Sequence, residues 1–187
     1  MKWLKRIGLG VLALLLLAAI GWGAVLMRPE RAHNTVSLWI DRPAAQVFEH
    51  FSDRAKLMKW VTSVKKIEPW SGEKGLQVGA RTRVTMQLEG GDPIFVDEEI
   101  RAVEPGRRLL LALTWADPAM GSFEELADWT LTEESGRTRV SGDALTHYHG
   151  ALMRLMEPVM TWSAQAKLPQ DMARLKANVE AEPLAAR

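Results

Sequence analysis

Apolar residues follow three regimes along the chain. Ile7 to Met27 is a run of 21 residues without a charge. From His33 to Tyr148 apolar positions recur mostly at every second residue, and from Ala151 to Glu180 at every third or fourth. Alternation sends successive side chains to opposite faces of a strand, whereas spacing near 3.6 lines one face of a helix. The pattern therefore predicts an apolar N-terminal helix, a strand-rich middle and a long C-terminal helix.

Within the middle, His33 to Asp41 sets Val36, Leu38 and Ile40 against Ser37 and Trp39, the signature of a half-buried strand. Asp41-Arg-Pro43 suits the start of a helix, with Asp41 accepting from free N–H groups and Pro43 in the first turn. Ala44, Val47, Phe48 and Phe51 supply its apolar stripe. Ser52-Asp53 opens a second short helix through Leu57 and Met58 that ends near Trp60. Val61 to Trp70 follow, with a loop carrying Gly72, Gly75 and Gly79; then Thr82, Val84, Met86 and Leu88 alternate up to the turn Gly90-Gly91-Asp92-Pro93. Ile94 to Val103, Arg108 to Trp115, Ser122 to Thr132 and Thr138 to Tyr148 are further strands, separated by Glu104-Pro-Gly106, Asp117-Pro118 and Ser135-Gly136. Strands joined by tight turns imply an antiparallel sheet whose apolar face the long helix must cover, an α+β architecture.

That long helix, Ala151 to Glu180, has two stripes that do not match in phase. Leu152, Leu155, Met156, Val159, Met160 and Ser163 share one face, while Leu168, Met172, Leu175 and Val179 fall on roughly the opposite side of the cylinder. Pro169 sits at the changeover and Pro158 precedes it, so a bend or break is expected. The second stripe is expected to anchor the helix, and the first to pack at a different azimuth over a pocket mouth.

As a helix the N-terminal run would be about 31 Å long, enough to cross a bilayer core. Lys2, Lys5 and Arg6 precede it, Arg28 and Arg31 follow, and Trp3 and Trp22 fall near the two interfaces. This pattern predicts a single-pass anchor over residues 1–31 with the N-terminus in the cytoplasm. The domain at 32–187 would then lie outside the bacterial inner membrane, in the periplasm. The alternative is a cleaved secretory signal, for which Ala19-Ile20-Gly21 is the best small-x-small site.

Composition narrows the partners. The chain has 187 residues, 47% hydrophobic and 25% charged, enough for one folded domain plus an appendage. It has no cysteine, which excludes disulfides and thiolate metal sites. Five of the 24 basic residues and one of the 23 acidic ones lie in the first 31 positions, leaving 19 against 22 and a net charge of −3 for the domain. No basic stripe for phosphates is present, so nucleic acid is not an expected partner. Eight Trp and nine Met against one Tyr suit apolar surfaces that adapt in shape.

Several segments, in order, resemble the START-like superfamily, in particular the bacterial polyketide cyclase/dehydrase and lipid-transport (SRPBCC) group with the helix-grip fold. They are Arg42-Pro-Ala-Ala-Gln-Val-Phe48, Trp60, Trp70-Ser-Gly72, Val78-Gly79-Ala-Arg81, Val103-Glu-Pro-Gly-Arg-Arg-Leu109, Trp129-Thr-Leu131, Gly136-Arg-Thr-Arg-Val140 and Leu175-Lys-Ala-Asn-Val-Glu180. The resemblance covers Thr35 to Glu182. It implies a curved antiparallel sheet of about six or seven strands around the C-terminal helix, with a cavity between them for lipids, sterols, polyketides or other apolar molecules. The N-terminal anchor and Pro169 depart from the commoner soluble pattern.

For such a cavity, Met86, Leu88, Trp115, Trp129, Met153, Met156, Met160 and Trp162 are the candidate lining, since aromatic and thioether groups tolerate irregular apolar ligands. The plainer reading is that they fill a core. Asp97-Glu-Glu99 alternates across a strand, so at least one carboxylate can point into the concave face, where burial would raise its pKa and fit it for general acid or base work. The competing reading pairs these acids on the outer face with Arg81 or Arg83. His147-Tyr-His149 places two imidazoles on one strand face, but no third ligand can be nominated, so neither metal nor cofactor is expected. The leading expectation is a membrane-anchored binding or carrier module for a hydrophobic small molecule or lipid. The alternatives are a cyclase/dehydratase-type enzyme using Asp97, Glu98 or His147, and a structural or partner-binding envelope domain.

Overall fold

The computed structural model describes residues 2–26, 31–70, 75–87 and 90–184. In chain order the elements are α1 (Lys2–Leu26), β1 (Arg31–Ile40), α2 (Ala44–Ser52), α3 (Arg54–Trp60), β2 (Val64–Pro69), β3 (Arg81–Met86), β4 (Ile94–Glu104), β5 (Arg108–Asp117), β6 (Gly121–Glu134), β7 (Arg137–His149) and α4 (Ala151–Ala181). All the strands join one antiparallel sheet in the order β1-β7-β6-β5-β4-β3-β2, so the first strand closes one edge and the second forms the other. The β6–β7 turn shows why the connections are so short. Ser135 and Gly136 both take positive φ, 52° and 77°, which matches a two-residue hairpin to the twist of its strands.

Alternation decides which face is buried. In β7, Thr138, Val140, Gly142, Thr146 and Tyr148 are buried while Arg139, Asp143 and His149 are exposed. Two apolar clusters result. The larger gathers Ile40, Val47, Phe48, Phe51 and Trp60 with Val140 and the helix residues Met172, Leu175 and Val179. The smaller joins Ala32, Tyr148 and Met153, flanked by Trp115, Phe123 and Met160.

The helical corner is fixed by polar contacts, expected at α3 and unexpected at α2. Asp53 caps α3, accepting from the Ala55 and Lys56 N–H groups at 2.7 and 3.0 Å. Asp41 does not cap α2: its carboxylate binds Arg137, while Glu133 of β6 accepts from the Ala44 N–H at 2.8 Å. Arg42 instead donates to the carbonyls of Glu180 and Glu182, clamping the end of α4 to the start of α2.

α4 is one helix of 31 residues running past both Pro158 and Pro169, so the chain does not break there. Its C-terminal stripe is buried as expected, with Met172, Leu175 and Val179 at 2% exposure or less. Most of the N-terminal stripe does not reach the sheet. Leu152, Met156 and Val159 are exposed, and only Met160 of that stripe packs inward, beside buried Met153. The phase change is therefore met by turning one apolar face outward.

The expected membrane span is not supported: among the described residues no helix is long and apolar enough to cross a membrane. Most of the apolar run lies in α1, where the side chains at 9, 15, 18, 19 and 24–26 fall outside the described set. α1 lies against α4.

Candidate functional site

Between the two apolar clusters the sheet carries small side chains, and a cavity opens there. Asn34 of β1, Ala144 of β7 and Ala127 of β6 are register partners on adjacent strands. Opposite them α4 presents Ala164 and Leu168. The cavity measures about 250 Å³ and is also lined by Met86, Trp129, Val61 and Glu125. It has the predominantly apolar lining with a few polar groups that is usual for small-molecule sites, at a volume just below their usual range.

Trp129 forms the floor at one end. It packs on Phe51 at a ring separation of 5.3 Å and edge-on to Trp60 at 6.2 Å. Its ring lies directly over Gly142, where a Cβ would come within 2.5 Å of it. Across this aromatic trio lies a second chamber of about 410 Å³ between α2, α3 and strands β2 to β4, lined by Phe51, Arg54, Leu57, Leu76, Thr82 and Glu98 among others.

The two chambers each hold an inward carboxyl, and the strand register relates them. Thr82, Glu98, Leu113, Glu125 and Thr146 are successive partners across β3, β4, β5, β6 and β7. Glu98 and Glu125 are thus two strands apart, about 10 Å along the sheet. Each accepts from a threonine hydroxyl on a neighbouring strand: Thr82 Oγ1 donates to Glu98 at 3.1 Å and Thr146 Oγ1 to Glu125 at 2.7 Å. Burial pushes both carboxyls above the usual range, because the charged form loses its hydration and these single hydroxyls do not restore it. Burial, joined by the charges of Glu125 and Glu157, also lifts Tyr148 to about 12.

The expected lining residues fall into four groups. Met86 and Trp129 face the cavity under α4. Trp115, Met153 and Met160 belong to the smaller apolar cluster, so they fill core. Met156 and Trp162, 37% and 70% exposed, are on the outer side of α4 and do not line the cavity. Leu88 lies outside the described residues.

Among the candidate acids and bases, Glu98 faces inward, but its neighbours do not. Asp97 meets Arg83 at 2.8 Å and Glu99 meets Arg81 at 2.9 Å on the outer face. His147 is also on the outer face, its ring 6.4 Å from that of His149. Among the described residues no group of three or more His, Asp or Glu is placed to hold a metal ion. Glu125 and Asn34 escape the sequence reading. Their signal is a polar residue standing in an apolar register: Phe123, Glu125, Ala127, Trp129 in one strand and Ala32, Asn34, Val36, Leu38 in the other.

Solved structures share this architecture. Protein MLL2253 of Mesorhizobium loti aligns over 82% of this chain and 100% of its own at 19% identity, with a TM-score of 0.61. A conserved protein of Geobacillus kaustophilus reaches 0.65 at 11% identity, covering 79% of this chain and 95% of its own. DynU16, a protein of the dynemicin biosynthetic locus, gives 0.55 at 22% identity over 82% of this chain, which spans 48% of that longer one. These likenesses establish the fold. No curated protein matches the sequence. The family model described as polyketide cyclase / dehydrase and lipid transport matches residues 31–180, from the first strand to the last turns of α4. The chain belongs to that family.

Proposed function

We propose that this protein binds or carries a hydrophobic small molecule or lipid in the cavity between the sheet and α4, and that residues 1–31 tether the domain at 32–187 to the bacterial inner membrane, on its periplasmic side. The observation that carries the binding role is the cavity itself. Ala127 and Ala144 on the sheet and Ala164, exposed on α4, line it with side chains too small to fill it. The tether is supported by sequence, through the uncharged run Ile7 to Met27 and its basic flank, and by the exposure of Leu14, Leu17 and Ile20 at 70%, 67% and 67%.

Native mass spectrometry of the full chain, extracted from membranes in a neutral detergent, tests both parts. A co-purifying apolar species at one per chain is expected, and so is recovery of the chain in the membrane fraction after an alkaline wash. A cavity that stays empty and takes up no added apolar probe would overturn the binding role. Release by the wash would overturn the tether.

A second reading, an enzyme of the cyclase or dehydratase type, is favoured by the inward carboxyls Glu98 and Glu125. It predicts that a co-purified ligand is converted over time by the wild type and not by Glu98→Gln or Glu125→Gln.

A further inference from the structure

The geometry points to an ammonium-bearing amphiphile as the ligand of the cavity under α4, with Glu125 as the partner of its charged head. This rests on the binding role proposed above and narrows it. Two observations meet in the same cavity. Glu125 keeps lone pairs free after accepting from Thr146, since a carboxylate offers about four acceptor sites. Asn34, 7% exposed, also lines the cavity, and its Oδ1 is buried without a hydrogen-bond partner. An acceptor left in that state costs about 1–3 kcal/mol, a cost that a ligand N–H or O–H would remove.

The surrounding groups favour a cation over an anion. Among the described residues Lys167 is the one lysine on the cavity lining, and it is bound by Asp171, which also holds Arg174 at 3.1 Å. Asp143 turns its carboxylate outward to His33 at 2.9 Å. Glu125 and Asn34 therefore put a carboxyl and an unpartnered acceptor on the wall that β1 and β6 give the cavity. A carboxylate or phosphate head placed there would meet lone pairs and a second acid. An ammonium would meet a carboxylate in a weakly screening site, with its alkyl chain against Trp129, Met86 and Leu168. Its charge would also relieve the cost that burial imposes on ionised Glu125.

The test uses three probes of one chain length, hexylamine, 1-hexanol and hexanoate, titrated calorimetrically into the full chain in dodecyl maltoside at pH 7. Hexylamine is expected to bind at least ten-fold more tightly than hexanoate, with 1-hexanol between them. In Glu125→Gln, which keeps the shape and the Thr146 contact, the amine should lose at least five-fold while 1-hexanol changes less than two-fold. Equal or tighter binding of hexanoate by the wild type would overturn the ammonium assignment and leave the binding role standing. So would an amine preference unchanged in Glu125→Gln. If none of the three probes binds, the binding role itself falls, and the assignment with it.

Discussion

Gly142→Ala is the sharpest probe of the wedge between the sheet and the aromatic trio. Gly142 does not take positive φ, so its backbone does not require glycine. The constraint is purely steric. An added Cβ would lie 2.5 Å from Cζ3 of Trp129 and 2.9 Å from both Cε3 and Cη2. Carbon atoms pack at about 3.5–4.0 Å, so the whole benzo edge must recede by about 1 Å. Because three ring atoms are met together, a small rotation cannot clear them. Phe51 and Trp60, 5% and 3% exposed, close the far side, and the cavity under α4 lies on the near one. The displacement should therefore cost about 1–3 kcal/mol, as overpacking does, and narrow the cavity as well. At about 2–4 °C per kcal/mol for a domain of this size, Tm should fall by several degrees. Urea unfolding followed by far-ultraviolet circular dichroism measures the first effect, and calorimetric binding of 1-hexanol the second. Gly136→Ala is the control: its φ of 77° imposes about 1–2 kcal/mol of backbone strain, but no atom lies within 4 Å, so binding should not change. A Gly142→Ala protein as stable as the wild type would refute the wedge.

Asn34→Val should raise stability by about 1 kcal/mol, seen as a higher urea midpoint, because it removes a buried acceptor without a partner and puts a strand former in β1. The same substitution should weaken binding of hexylamine, so that stability and affinity move in opposite directions. His50 is buried, and desolvation, only partly opposed by Glu182 at 3.3 Å, holds its pKa below the ordinary 6.5. The unfolded chain therefore takes up a proton that the folded chain refuses. Stability from this group is complete above about pH 6.5 and is lost as pH falls below it, toward the folded-state value. The difference in urea midpoint between pH 7 and pH 5.5 should shrink in His50→Leu; an equal difference in both proteins would show that His50 does not titrate in this way. Pro169→Ala, at an exposed position inside α4, restores an amide donor to the helix and should raise Tm, by an amount equivalent to at most about 3 kcal/mol.

How far the fold can be read from the chain depends on what each segment packs against. β1, β3, β4, β5, β6 and β7 show themselves because one face of each is buried and the other solvated, and the turn residues between them are explicit. β2 does not, since Lys65, Lys66 and Glu68 leave only Val64 and Ile67 to mark a face. In α4 the C-terminal stripe is legible because Met172, Leu175 and Val179 sit in the core. The N-terminal half misleads, because only Met153 and Met160 of it pack on the smaller cluster. Its strongest stripe, through Leu152, Met156 and Val159, points outward. Within Asp97-Glu-Glu99, alternation requires a split between the two faces, and only pairing of Asp97 and Glu99 with arginines reveals which residue turns inward. Glu125 and Asn34 become visible only when strands far apart in sequence are placed in register.

The residues that hide β2 also govern how the sheet ends. A seven-stranded sheet that stops at a free strand offers its unpaired backbone groups to any passing extended segment. Here such a segment would meet Lys65, Lys66 and Glu68 along six residues, and at Pro69 a position with no N–H to give. The weakest strand in the sequence is thus the one that keeps the sheet from growing at this edge, where an added segment would find charged side chains and a missing donor.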